Sequence, residues 1–530
     1  MGVRVEACEG QLALAMCGQL SAPRAAARDL DNHGSALARA WAILLRAAIG
    51  GLSEPTSGPE PRYRVEALRG HGPEVDRVLA RACSFHERRA FAAFDVHGLE
   101  RWRSCRPRGA DRRVAAEDML SDMRLAVLVD RPFDQDQRRR AVRAGQTLEA
   151  PELVVESVAL GGLADLAAGD THEARASCRR ASRISRTEGL LELEYLANLV
   201  LARMRRHTGR AHAATAILHA LTRVCSAPWR GWLAWELAFV SCDALAGRAL
   251  AGAGDGPAAE LARAVRKTLD GDRDAAARML NESAPMVARE ARALVACRHG
   301  PQGIGVDEQS ARFLRGDTHE VPMELSGLAT QRASAGSLVW VKWDPEQGAR
   351  RYLATASDLD AGIAGGLELS AREERSAVSL ATLLFAGPDG CRAPDLYRAT
   401  FGGTYDPAAH DGLLRTTLYR ARAALGARGS LERKKGVVVL HPTEPLAIPD
   451  PRCAADVETR VLSLLAARGS ASAAEIAHAL HISVRKVQKS LRRLLDEGAC
   501  EQLREGRQIR YVLEDTTFSE PTVQRLQPGG

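Results

Sequence analysis

Lysine is nearly missing from this sequence. Of 73 basic residues only six are lysine: Lys267, Lys342, Lys434, Lys435, Lys486 and Lys489. None of them follows a glycine, so the glycine–lysine turn of a P-loop cannot form and a Walker-type nucleotide hydrolase is excluded. Aromatic residues make up 4%, too few for a protein dominated by β-sandwich or barrel cores, where aromatic and β-branched residues concentrate. No C-x-x-C occurs. Eleven cysteines are scattered singly from Cys8 to Cys500, which excludes a thioredoxin motif and the usual zinc ribbon and reads as buried or idle reduced thiols. His172-Glu173 is not followed by the second histidine of H-E-x-x-H, and no G-x-S-x-G is present. The best apolar stretch, around Trp41 to Leu52, is broken by Arg39 and Arg46. No transmembrane helix and no signal peptide are therefore expected, and the cytoplasm is the expected compartment. These absences leave no cofactor, no metal and no catalytic set to name, and the chain reads as a non-enzyme.

The chain has 530 residues and a net charge of +7. That length suggests roughly three to five domains. It can bury a core without metal or disulfide staples. Alanine and arginine are abundant, which points to a GC-rich coding sequence more than to a function. Up to about His299, Leu, Ala and Val recur at three and four, and β-branched runs are absent, so this half is read as helical. Ser53–Arg62 reads as a loop, with three prolines and a glycine. Arg101–Arg113 is arginine-rich around Trp102; a solvated helix face or loop is the first reading and a nucleic-acid patch the second.

Residues 151–285 carry a weak repeat. Gly169-Asp170-Thr171-His172-Glu173-Ala174, Gly209-Arg210-Ala211-His212-Ala213-Ala214 and Gly271-Asp272-Arg273-Asp274-Ala275-Ala276 can be laid over one another. Each follows one helical run and opens another. Glycine ends the first helix in the left-handed conformation, and the alanine allows close packing of the second. This pattern resembles the longer tetratricopeptide-like repeats of bacterial transcription activators. The resemblance implies stacked helix pairs with a concave surface for a peptide or protein; the other reading is a plain helical bundle.

After a loop at Gly300–Gly303, Ser337–Trp343 alternates, Asp344–Gly348 turns, and Arg350–Thr355 returns, which predicts a β-hairpin. Trp340 and Trp343 are read as sheet packing rather than a ligand platform. From Gly366 the order is a short strand at Leu367–Leu369, a capping box at Ser370 and Glu373, a helix to about Phe385, a turn at Gly387–Gly390, a helix at Ala393–Thr400, a loop at Phe401–Ala409, a helix at His410–Leu425, and a hairpin at Leu431–Leu440. The run L-x-L-S-x-x-E, the second helix with Leu396 and Tyr397, and L-x-x-A-R-x-A-L at Leu418–Leu425 resemble the OmpR/PhoB-type winged helix of bacterial response regulators. No receiver domain precedes it, so phosphorylation control is not implied. On the third helix Leu414, Leu418, Ala421 and Leu425 share one face at about 100° per residue. The other sides carry Arg415, Thr416, Tyr419, Arg420 and Arg422, suited to base edges and phosphates in a major groove. Lys434 and Lys435 stand at the hairpin tip, where a point charge meets a phosphate. Three arginines on one helix are also compatible with a solvated face; the surrounding order of elements favours DNA.

A second unit follows Pro449–Pro451, read as a linker. Val457–Ala467 is a helix with Val457, Val461, Leu464 and Leu465 inward. Ser472 and Glu475 form a capping box, Ala473–Leu480 a short helix, Ser483 caps Val484–Leu495, and Ala499–Arg504 with Gln508–Leu513 makes a hairpin around Glu505-Gly506-Arg507. Over about 456–514 this resembles the small winged helices of MarR- and ArsR-type regulators. Val484, Val487, Leu491, Leu494 and Leu495 are expected on one face of the third helix. Arg485, Lys486, Lys489, Arg492 and Arg493 lie on the other, with Arg507 added at the wing. His478 and His481 lack ligand partners at metal spacing.

The expected fold is mainly α: a helical, repeat-like N-terminal half, a short hairpin and two tandem C-terminal winged helices. The expected organisation is a helical region of unassigned role over 1–150, tetratricopeptide-like repeats over 151–300, linker and hairpin over 301–365, winged helices over 366–448 and 453–514, and a polar tail over 515–530. The expected function is DNA-binding transcription regulation, with double-stranded DNA as partner, no membrane, and RNA polymerase or another protein on the helical half; a homodimer is compatible. The competing reading is an interaction scaffold whose winged helices contact protein.

Overall fold

Glycine and aspartate punctuate the helical half. Gly169, Gly209 and Gly271 have φ of 84°, 75° and 96°, the left-handed region that closes a helix without a Cβ clash. Asp170 then accepts from the Glu173 amide at 3.0 Å and Asp272 from the Ala275 amide at 2.9 Å, capping the next helix. Ala174, Ala214 and Ala276 are buried where each second helix packs on the first. The three aligned stretches thus share the left-handed glycine and the buried alanine, while the aspartate cap is present in the first and third only, Arg210 making no side-chain cap. The computed structural model describes residues 5–16, 23–49, 61–240, 244–329, 338–367, 369, 373–454, 456–480, 482–496, 499–505 and 508–513. Among them, seventeen helices run from Val5–Met16 to Pro285–His299. No described helix is long and apolar enough to cross a membrane.

Five helices form the centre of this half. Pro73–Ala92, Arg112–Leu128, Pro151–Ala167, Leu191–His207 and Ala227–Val240 pack in succession, and the last returns to the first. Their inner sides are filled. Trp229, Trp232 and Trp235 are fully buried, and Trp232 meets Phe91 edge-on at 5.7 Å. Around these tryptophans the centre is therefore filled, and no concave surface opens there. Two buried ionic groups lie here as well. Arg124 reaches Glu87 at 2.8 Å and Glu156 at 2.6 Å, and Arg88 reaches Glu156 at 2.8 Å. Arg206 reaches Glu236 at 2.9 Å and Glu290 at 2.8 Å. Removing one member would leave its partner uncompensated in a dry core, which costs about 3–5 kcal/mol.

The arginine-rich stretch at Arg101–Arg113 divides: Arg106 and Arg113 turn toward the core, while Arg101, Arg108 and Arg112 are exposed, as on the expected solvated face. Arg106 is buried on Glu87 at 2.6 Å, and Arg113 binds Glu117 at 2.8 Å and Glu152 at 2.7 Å. Trp102 stacks on His86, ring centroids 3.9 Å apart. The loop expected at Ser53–Arg62 lies outside the described residues up to position 60, and Pro61–Leu68 is already a helix.

Strands β1 (Val339–Asp344) and β2 (Gly348–Leu353) form the expected hairpin, Val339 opposite Leu353 and Asp344 opposite Gly348; Ser337 lies outside the described residues. The Asp344 carboxylate fixes the turn by accepting from the Gln347 amide at 2.7 Å. A strand from far downstream completes the sheet, as set out below. The next unit has helices Glu374–Ala386, Ala393–Phe401 and Pro407–Leu425, with strands β3 (Cys391–Arg392), β4 (Gly429–Lys434) and β5 (Val437–Pro442) in the order β3-β5-β4. Strand β6 (Leu446–Pro449) then pairs antiparallel with β1. Leu367 and Leu369 are not a strand; Gly366 alone bridges Ala447. The capping box at Ser370 lies outside the described residues. Pro407–Ala409, expected in a loop, open the third helix because Asp406 caps it through the Ala408 amide at 3.0 Å.

Pro449–Pro451 is not a free linker. Asp450 is fully buried, and Pro451–Cys453 is a helical turn. The last unit has helices Val457–Arg468, Ala473–Leu480 and Val484–Asp496 with strands β7 (Ser470–Ala471), β8 (Cys500–Glu505) and β9 (Gln508–Leu513) in the order β7-β9-β8. This is a winged helix, and the chain as a whole is mainly α. Its Ser472–Glu475 capping box is present: the Ser472 amide donates to Glu475 at 2.7 Å and the Glu475 amide to Ser472 at 3.3 Å. Val461 and Leu465 are buried, while Val457 and Leu464 are only half-buried. His481, Glu497, Gly498, Gly506, Arg507 and the tail at 515–530 lie outside the described residues. The first helix of this unit packs on Ala211–Val224 of the helical half.

Candidate nucleic-acid interface

The third helix of the first unit is held by its apolar face. Leu414, Leu418, Ala421 and Leu425 are buried as the spacing required. Arg415, Thr416, Tyr419, Arg420 and Arg422 are exposed, Tyr419 at 71%. The structure then separates these five by what they touch. Arg415 is drawn to Asp411 at 2.7 Å, one turn back. Thr416 turns its hydroxyl onto the Gly412 carbonyl at 2.9 Å. Arg422 donates to the Leu431 carbonyl at 3.2 and 3.0 Å, so it positions the hairpin. Arg420 is exposed and makes no ion pair with a described residue.

The hairpin tip is a two-residue turn, Lys435-Gly436, with φ of 51° and 81°. Positive φ at both positions matches the right-handed twist of the flanking strands. The Gly436 carbonyl accepts from the Ala393 amide at 2.8 Å, fixing the tip against the start of the second helix. Lys434 is exposed and paired with Glu432 at 2.6 Å; each holds the other's charged form, the lysine raised and the carboxylate lowered. Between the tip and the starts of the second and third helices lies an open cleft of about 460 Å³. Arg392, Arg433 and Lys435 line it, and Asp411 is its carboxylate. Asp411 binds Arg433 at 2.6 Å and accepts from the Tyr405 hydroxyl at 2.9 Å; the Arg433 and Tyr405 hydrogen bonds hold its carboxyl below the usual range. The cleft thus carries three cations and one carboxylate. Arg392 and Arg433 were not legible as candidates, because only the hairpin register, Arg433 opposite Val438 and Arg392 opposite Val437, brings them together.

The third helix of the second unit divides more sharply. Val487, Leu491 and Leu494 are buried. Arg485, Lys486, Lys489, Arg492 and Arg493 are all exposed. Arg493 approaches Glu458 at 3.5 Å; the other four make no ion pair with a described residue. The Ser483 hydroxyl caps the helix through the Lys486 amide at 3.3 Å. Val484 departs from the expected buried face and is 43% exposed, because the first residue of the helix lies beyond the reach of the core. Four uncompensated cations in two turns have no internal use and fit a polyanion.

Residues 455–516 match the family model of the sugar-specific transcriptional regulator TrmB. The matched segment coincides with the second unit, helix by helix through the hairpin, and supports a DNA-binding regulator in general. It spans none of the helical half. No curated protein and no solved structure matches the chain.

Proposed function

We propose that this chain is a transcriptional regulator that grips double-stranded DNA with two winged helices, 366–448 of the OmpR/PhoB type and 453–514 of the TrmB-like type. The helical half acts as a sensory or protein-interaction module. The observation that carries the reading is the uncompensated basic face of Val484–Asp496 inside a segment similar to a regulator's winged helix. In the first unit Arg420 and Tyr419 are the candidate base readers, and Arg392, Lys434, Lys435 and Arg433 the candidate phosphate contacts. Sugar specificity belongs to the family's description and is not carried over, since the matched segment is the helix–hairpin unit alone.

The test uses the full chain. A pool of random duplexes is selected on the protein, and affinity for the enriched sequence is measured against salt. Enrichment of one motif with a steep salt slope is the expected result. The competing reading, winged helices that contact protein, draws on exposed apolar residues of the second unit: Val484, and Leu503 and Ile509 on its hairpin at 42% and 40%. No enrichment and no salt dependence would favour it.

A further inference from the structure

The inner end of the helical half contains a cavity of about 200 Å³. Val127, Leu163, Leu166, Met286 and Met323 give it apolar walls. Its polar lining is unusual. Arg203 is almost fully buried; its Nε donates to Glu236 at 2.7 Å, and its Nη2 meets no protein group. His207, whose side chain is 7% exposed, places Nε2 at 2.8 Å from Glu290. That carboxylate requires a proton on Nε2, so a neutral ring presents Nδ1 as an acceptor. Nδ1 also meets no protein group. Arg203 and His207 both line the cavity, and each keeps one buried nitrogen that no protein group meets, a donor on the first and an acceptor on the second. Leaving such groups unpaired in a buried site is costly.

Charge in the chamber is already balanced. Arg203 and Arg206 are offset by Glu236 and Glu290. Burial holds the Glu324 carboxyl above its usual range, which disfavours another charge here. At the mouth Arg289 is paired with Asp130 at 3.0 Å. Among the buried lining residues an ion would find no uncompensated partner; Arg131, which also lines the cavity, is exposed to solvent. A hydroxyl is the uncharged group that can both accept from an arginine N–H and donate to an imidazole nitrogen. A cavity of roughly 150 Å³ can hold benzene, so the volume suits a single small ring or a branched chain.

We propose that this cavity is a binding site for a small, uncharged, mostly apolar molecule bearing one hydroxyl group. The site gives the sensory role proposed above a ligand class, and only its regulatory meaning rests on that role. Its position suits coupling: Arg206, next to the chamber, donates to the Glu324 carbonyl at 3.1 Å, on the segment that leads toward the C-terminal units.

The experiment titrates the full chain, without DNA, with benzyl alcohol and with toluene, read by saturation-transfer NMR. Benzyl alcohol should bind saturably with Kd on the order of 1 mM. Toluene, which cannot meet Nη2 and Nδ1, should bind about tenfold more weakly. Ala164→Phe, which fills the chamber, should abolish saturation. Ala168→Trp, placed at the exposed mouth, gives the same reading if the first variant does not fold. Absence of saturable benzyl alcohol binding, equal affinity for toluene, or undiminished binding by a folded blocking variant would overturn the proposal. Because no DNA is present, each of those results leaves the DNA-binding reading standing.

Discussion

Arg351 and Asp450, 99 residues apart in sequence, form a buried ion pair, with both guanidinium contacts at 3.2 Å. Arg351 also donates to the Phe313 carbonyl at 2.6 Å and to the Thr318 carbonyl. One side chain thus ties the end of the helical half, strand β2 and the entry to the second winged helix. Burial works against the charge on Asp450, yet Arg452 and Arg351 outweigh it and hold the carboxyl below its usual range.

Asp450→Asn should therefore destabilise the chain by about 3–5 kcal/mol, the cost of an uncompensated buried arginine. Urea unfolding followed by circular dichroism measures it. A change under about 1 kcal/mol would show that the pair is not desolvated in solution.

In the first winged helix the contacts rank the arginines. Arg420→Ala should weaken the selected DNA site by about 1–3 kcal/mol while sparing unrelated sequences. Arg422→Ala should lower stability by about 1 kcal/mol through the lost Leu431 bonds and weaken all sequences alike. Arg415→Ala should have a smaller effect than Arg420→Ala, since Asp411 already engages that side chain. Binding competition and thermal melts separate the three. Wild-type specificity in Arg420→Ala would remove this helix as a reader.

For the second unit, Arg485→Ala, Lys486→Ala and Lys489→Ala together remove three uncompensated cations from one face. If all three meet phosphates, the slope of log affinity against log salt should become shallower by roughly 2.7. Their side chains point away from Val487 and Leu491, so the fold should survive. An unchanged slope in the folded variant would assign this unit to protein contact.

His86 sets an acid limit on the helical half. Burial, then the Arg89 charge, lowers its pKa to about 3. The unfolded chain takes up a proton near pH 6.5 and the folded chain does not, so stability falls as pH drops from 6.5 toward 3. Glu156, lowered to about 2 by Arg124 and Arg88 against the cost of burial, adds a further loss below about pH 4.5. Melting temperature against pH should show both. His86→Phe, which keeps the stack on Trp102, should flatten the curve between pH 6.5 and 4.5. An unaltered curve would place the loss elsewhere.

Much of the local structure was legible because its causes are local. The period of three and four gave the helices. Ser472–Glu475 and Ser483 gave caps, and Lys435-Gly436 gave a turn. The buried set Leu414, Leu418, Ala421 and Leu425 followed from helix geometry alone. The reading failed where a residue's meaning depends on a distant partner. Arg106 and Asp450 read as surface or linker residues because charge without its partner reads as solvated. Strand β6 could not be foreseen, since its four residues gain strand identity only by pairing with β1. Val484 follows the apolar period yet stands at a helix start that the core does not reach.

The sequence by itself determined a mainly helical chain with a C-terminal winged helix and two basic helix faces, because periodicity, capping and turn chemistry act within a few residues. The tertiary structure alone decided which cations are free. Arg422 is spent on the hairpin, Arg106 and Arg351 are buried on carboxylates, and Arg485, Lys486 and Lys489 stand uncompensated among the described residues. Ion pairing is set by where distant segments meet, and a one-dimensional charge pattern does not contain that information.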